Sequence, residues 1–167
     1  MEFDTLLAGF RTTIPEGEIF VRLVLASVFG AAIGLDRELR DRPAGLRTHM
    51  LTATAAATFS VLTLELFYEV TAPGQNGEAV GADPIRIVEA VTSGVAFLAA
   101  GAIIHGHGTV HGLTTGAGMW LAGAIGVACG TGHYSIALMA AVLAVLIMTA
   151  LRLLAVHLAG KSASDEP

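Results

Sequence analysis

The sequence predicts an all-α fold, a polytopic membrane helix bundle of about five transmembrane helices. Three observations predict it. The 167 residues are 54% hydrophobic and 14% charged, whereas soluble domains carry about 25% charged residues. The apolar residues fall into long runs, and spans of roughly 20 residues each fill the length with five helices and short connectors. The charge is also concentrated. Asp36, Arg37, Glu38, Arg40, Asp41, Arg42 and Arg47 lie together between the first two runs and include four of the nine basic residues. An apolar chain that gathers its charge this way marks that connector as its main polar surface.

Residues 1–17 read as an N-terminal tail. Phe3, Leu6, Leu7 and Phe10 follow the i, i+3, i+4, i+7 spacing of one helix face, so the tail can form a short helix lying in the membrane interface before Pro15. Its acidic start, Met1-Glu2-Phe3-Asp4, lacks the positive n-region of a signal peptide. The transmembrane domain spans 18–159, and 160–167 form a disordered tail.

The first helix runs from about Glu18 to Leu35, with Glu16 and Glu18 suited to a helix N-terminus. Gly30 and Gly34 put two small residues on one face and allow close helix approach. Pro43-Ala44-Gly45 breaks the connector. The second helix, about Thr48 to Phe67, has a small, weakly polar middle from Ala53 to Thr58, which marks a packing face. A polar, glycine-rich loop follows from Tyr68 to Asp83. The third helix starts near Pro84 after Asp83, a candidate cap, and runs to Ile104. His105, His107 and His111 lie in the tight connector after it. The fourth helix, about Thr114 to Gly130 with Thr114 or Thr115 as cap, carries Trp120 and a dense run of glycines. Such a helix is buried against others or irregular in its middle. The fifth, about Tyr134 to Leu158, has no charge between Ile136 and Leu151 and is the best candidate for lipid exposure.

With five spans, Arg37, Arg40, Arg42, Arg47, Arg152 and Lys161 share one side, leaving Arg11, Arg22 and Arg86 on the other. The positive-inside rule places the richer side in the cytoplasm and the N-terminus outside. No basic patch points to nucleic acid. Cys129 is the only cysteine, so no intramolecular disulfide forms, and its apolar setting is that of a packed thiol. No nucleophile–base motif or phosphate-cradling loop stands out, and the chain reads as non-enzymatic.

Three groups of residues carry chemistry. Asp36 and Glu38 can touch a hydrated Mg²⁺, which keeps several waters and takes one or two carboxylates. The other reading has them salt-bridged with Arg37, Arg40 and Arg47, fixing the turn or forming a docking surface. His105, His107 and His111 can bind a transition metal, or simply form a flexible polar turn. Arg22, Glu65 and Glu89 lie near the outer ends of their helices. Ionisable groups within spans usually pair, so an Arg22–Glu89 or Arg22–Glu65 pair is predicted, with snorkelling of Arg22 to the interface as the alternative.

Five ordered blocks carry a resemblance. They are Gly34-Leu-Asp-Arg-Glu38, Pro43-Ala-Gly-Leu-Arg-Thr48, Asp83-Pro-x-Arg86, Ser93-Gly-x-x-Phe97-Leu-x-x-Gly101-Ala-x-Ile104, and Gly112-Leu-Thr-Thr115 with Trp120. Together they resemble the MgtC/SapB family of bacterial inner-membrane proteins. The resemblance implies a multi-pass protein that supports adaptation to low magnesium and, in some members, survival inside host cells. It implies regulation, including restraint of the F-type ATP synthase in some members, rather than proven ion transport. It covers the transmembrane region only, without the soluble C-terminal domain that many members carry. The connector before Gly112 is usually basic in the family but carries histidines here, and Gly116-Ala117 replaces Ala-Ala.

Two functions are therefore expected. In the first, the chain regulates or binds a membrane partner, with Asp36, Arg37, Glu38 and Arg47 as the contact surface. In the second, it transports Mg²⁺ or another cation along Asp36, Glu38 and Glu89. Mid-span residues are mostly Ala, Gly, Val and Leu, which favours the first. Mg²⁺ is the only cofactor considered. The lipid bilayer is the certain partner, and the small-residue faces suit a homodimer.

Overall fold

A computed structural model describes residues 12–72, 83–106 and 109–162. The interfacial helix expected near Phe3–Phe10, most of the glycine-rich loop, His107 and the last residues lie outside them. Among the described residues five helices form in order: α1 Glu16–Glu38, α2 Leu46–Thr71, α3 Arg86–Gly101, α4 Leu113–Gly130 and α5 Tyr134–Ser162. Between α3 and α4, β1 Ile104–Gly106 and β2 Thr109–His111 pair antiparallel, with Ile104 opposite His111. The histidine connector is thus a short hairpin.

Among the described residues, α1, α2 and α4 are long and apolar enough to cross a membrane. The 16 residues of α3 span about 24 Å at 1.5 Å per residue, less than the roughly 30 Å hydrocarbon core. On α5, Ala137, Ala141 and Ala144 are buried while Leu138, Met139, Val142, Leu143, Leu146 and Ile147 are exposed. That is one small inward stripe and a broad apolar outer face, as a lipid-facing helix requires. The chain is a helical membrane protein.

The core is built from small residues. Water does not drive helices together inside a bilayer, so close packing must supply the attraction. Ala26, Ala53, Ala57, Ala122 and Cys129 are fully buried. The glycine faces lie where the backbones approach. A Cβ at Gly30 would sit 2.7 Å from the His49 carbonyl oxygen, and one at Gly34 would sit 2.8 Å from Leu46 Cα. On α4, a Cβ at Gly126 would lie 2.2 Å from the Ala53 carbonyl oxygen, and one at Gly130 would lie 2.5 Å from that of Ala57. The alanine-rich α2 is therefore held between two glycine faces, one on α1 and one on α4. α4 is an unbroken helix that packs on all four others, so of the two readings of its glycines the buried one holds.

The hydroxyls inside α2 are satisfied locally. Thr52, Thr54, Thr58 and Ser60 each donate to the carbonyl four residues earlier, at 2.8 Å. Such back-bonding removes the penalty of an unpaired hydroxyl in an apolar medium.

Helix ends depart from the expected caps. α4 starts after Gly112, in the left-handed region with φ 89°, rather than at Thr114 or Thr115. Gly112 is needed there because a Cβ would lie 2.2 Å from the Ala102 carbonyl oxygen. The other end of α4 closes through Gly132 at φ 80°. There the His133 amide donates to the Ala128 carbonyl at 2.7 Å and the Gly132 amide to that of Cys129 at 3.0 Å, a Schellman closure. α3 starts at Arg86 with Ile85 at its cap position, not Asp83, and Asp83 instead braces the turn before the helix, its Oδ1 accepting from the Ile85 amide at 2.9 Å.

Two substitutions test this packing. Gly126→Ala should destabilise the bundle by about 1–3 kcal/mol through overpacking. Gly94→Ala, whose added methyl meets nothing within 4 Å, should be neutral or stabilise by up to about 1 kcal/mol. Denaturant unfolding in detergent reads both.

Candidate functional site: the connector cleft

The connector between α1 and α2 is a folded structure in which each charge has a position. α1 ends as the chain turns back at Asp41, φ 50°, and again at Ala44, φ 55°. The Arg42 amide donates to the Arg37 carbonyl at 3.1 Å, which brings Arg42 back beside the last turn of α1. Glu38 then reaches across the turn. Its Oε2 accepts from the Leu46 amide at 2.9 Å, so its carboxylate caps α2, where free amides and the helix dipole favour negative charge. A Cβ at position 45 would lie 1.8 Å from Glu38 Oε2, so a larger residue there would push the carboxylate out of its present position.

Asp36 pairs instead with Arg40, one turn along α1. Asp36 and Glu38, considered together as Mg²⁺ ligands, are thus engaged in different places, one by a guanidinium and one by a helix N-terminus. Among the described residues, no three His, Cys, Asp or Glu side chains gather where they could hold a metal ion. His111 lines the cleft described below, His105 lies in β1, and His107 is outside the described residues. Arg47 is exposed on the first turn of α2.

Arg37 points inward. It is only 7% exposed, and its Nη2 donates to the Thr115 hydroxyl on the first turn of α4. Thr115 is fully buried. The Arg37 Nε has no hydrogen-bond partner, and neither does Nε2 of the buried His49. His49 sits at the crossing of α1, α2 and α4. Its Nδ1 is 2.9 Å from the Gly45 carbonyl oxygen, and Gly34 and Gly118 leave room for its ring. Sequence reasoning missed both His49 and the Arg37–Thr115 bond. A histidine four residues after Gly45 at a helix start was the available signal for the first. The second joins residues 78 apart, and no local spacing announces it.

Beside Arg37 a cleft of about 440 Å³ opens between the connector and the start of α4. Its polar wall carries Arg37, Arg40, Arg42 and Asp36, and its far wall carries His111, Thr114 and Thr115. Three guanidiniums face one carboxylate, and that carboxylate is already paired.

At the other end of the bundle the predicted long-range pair does not form, which corrects the sequence reading. Arg22 pairs with Glu18, four residues before it on α1. Its Nη1 donates to the Gly130 carbonyl at 2.6 Å, the end of α4 where unpaired carbonyls attract a cation. Glu65 accepts from the Thr13 and Ile14 amides at 2.7 Å each, and Glu89 is exposed on α3. Arg22 and Glu65 thus tie chain ends to the bundle, Arg22 at the end of α4 and Glu65 just before α1.

With this geometry in place, comparison with known proteins identifies the chain. The MgtC family model matches residues 23–156. The chain belongs to the MgtC family. It is 35% identical over 145 residues to YhiD of Escherichia coli, named as a proposed magnesium transporter, covering 87% of this chain and 66% of that protein. It is 39% identical over 126 residues to an uncharacterized protein of Haemophilus influenzae, covering 75% and 52%. It is 38% identical over 123 residues to the protein MgtC of Salmonella typhimurium, covering 74% and 48%. The chain spans about half to two thirds of the length of these relatives. No solved structure matches it.

The connector makes a direct prediction. Glu38→Ala removes the α2 cap and should destabilise the protein by about 1 kcal/mol. Thr115→Val should also destabilise it, by about 1–3 kcal/mol, because it leaves a second donor of the buried Arg37 unpaired. Melting of each purified variant in one detergent checks both.

Proposed function

We propose that this MgtC-family chain is a non-enzymatic protein of the bacterial inner membrane that supports growth at low magnesium by binding and regulating a membrane partner. The observation that carries the reading is how the carboxylates are used. Glu18 and Asp36 are paired with arginines one turn away, and Glu38 and Glu65 hold backbone amides. Between them the bundle centre is filled by Ala26, Ile33, Ala53, Ala57 and Ile125. A cation path needs polar groups that converge at depth. Here the charged groups stand at the helix ends and in the connector, and the hydroxyls within α2 are spent on their own helix's carbonyls, which suits recognition at a membrane surface. Arg47, exposed on α2 beside the capped turn, is the contact residue we assign first. The connector lies on the cytoplasmic side by its arginine content.

A second reading, transport of Mg²⁺, is favoured by the name of YhiD. The two readings separate in cells that depend on this chain for growth at limiting Mg²⁺. Arg47→Glu should abolish growth support at unchanged membrane level, and radiolabelled Mg²⁺ uptake should equal that of the wild type. Parallel loss of growth and uptake would overturn the regulatory reading in favour of transport.

A further inference from the structure

We infer that the connector cleft is a binding site for a phosphate group, presented either by a lipid headgroup or by a soluble phosphate or phosphate ester. The inference goes beyond the regulatory reading and does not depend on it.

The first observation is the buried cation. Arg37 is 93% shielded, taking its 7% exposure, and its guanidinium bonds only a neutral hydroxyl, that of Thr115. Its Nε donates to nothing. Among the described residues it lies within 4 Å of no carboxylate oxygen. A buried charge is normally paired. Arg37 is instead crowded by like charge, with Arg42 and Arg40 both near enough to repel it and Asp36 the only attraction. This arrangement is uphill until an anion joins it.

The second observation is the opposite wall. The cleft is closed by the start of α4, an 18-residue helix whose cap, Gly112, has no side chain to bond its first amides. The first turn of any helix carries amides without intrahelical partners, and its dipole end is positive. Anions are held at such ends. Here Thr114 and Thr115 stand on that turn and line the same cleft as the three arginines, with Thr115 bonded to Arg37.

The donor set selects the anion. Guanidinium forks match the oxygens of phosphate two at a time. Several forks, a hydroxyl and amides together offer more donors than the two oxygens of a carboxylate can use. The volume of about 440 Å³ exceeds a bare phosphate and leaves space for the group it is esterified to. The Asp36 carboxylate on the rim is held by Arg40, which keeps it from opposing the ligand directly. The cleft also lies where α1 ends and α4 begins, at one end of two helices long and apolar enough to cross a membrane.

The test uses the full chain purified in phosphate-free neutral detergent, with melting temperature read against ligand concentration. One arm adds inorganic phosphate, with chloride at equal ionic strength as control. The other adds short-chain phosphatidylglycerol, with phosphatidylcholine as control. Saturable stabilisation in the first arm alone identifies a soluble phosphate, in the second alone a lipid headgroup, and in both the shared phosphate group. Each supports the site, provided the apparent affinity falls about tenfold in Arg42→Gln, which removes a charge-assisted contact. Arg42 is exposed on the connector, so this variant keeps the fold. Arg37→Gln should lose the ligand response as well. Overturning results are no saturable shift beyond the controls in either arm, or a shift of equal affinity in both variants.

Discussion

The close approach of α2 to α1 and α4 is the constraint on which the rest of the molecule depends. Gly30 and Gly34 on one side, and Gly126 and Gly130 on the other, let the three backbones meet at distances that a methyl group would forbid. In a bilayer that contact supplies the attraction that water supplies elsewhere. It also fixes the register of three helices at once. Because α2 cannot slide between the two glycine faces, Leu46 is held against Gly34 and Ala57 against Gly130. The ends of the helices therefore arrive at set places, and the charged side chains act on those ends.

Two helix ends are closed by a charge that suits them. Glu38 meets the amides of α2, and Arg22 meets the carbonyls at the end of α4. Both follow from unpaired backbone groups and the helix dipole. Arg37 is the exception, because it reaches from the end of α1 to the beginning of α4, where a cation faces the positive end of a helix. That unfavourable juxtaposition is what distinguishes the connector cleft from the other charged sites. Where rules of local consistency are broken, function is the usual reason.

The fold was largely legible in the sequence, because helix length, apolar runs and small-residue spacing are local properties. The Gly30–Gly34 and Gly126–Gly130 faces and the small middle of α2 were all readable. The charges were harder. Glu18–Arg22 and Asp36–Arg40 have the i, i+4 spacing that favours pairing within one helix, and that signal outranked the long-range partners suggested for Arg22. The Glu38 cap depends on a turn that places Asp41 and Ala44 at positive φ, a conformation that Asp only occasionally adopts and Ala does not announce. Arg37–Thr115 and the burial of His49 arise only from the packing of α1, α2 and α4. The site was thus visible as a charged segment, while its shape was not.

Family membership places the chain among proteins with names tied to magnesium, and the proposed function separates surface recognition from a route through the bundle. The most direct test of that separation is Mg²⁺ entry into proteoliposomes holding the purified, folded chain, followed by a trapped Mg²⁺-sensitive dye. The account predicts no entry above empty vesicles. Entry above that level, reduced by Asp36→Ala or Glu89→Ala, would contradict it and make those carboxylates part of a path.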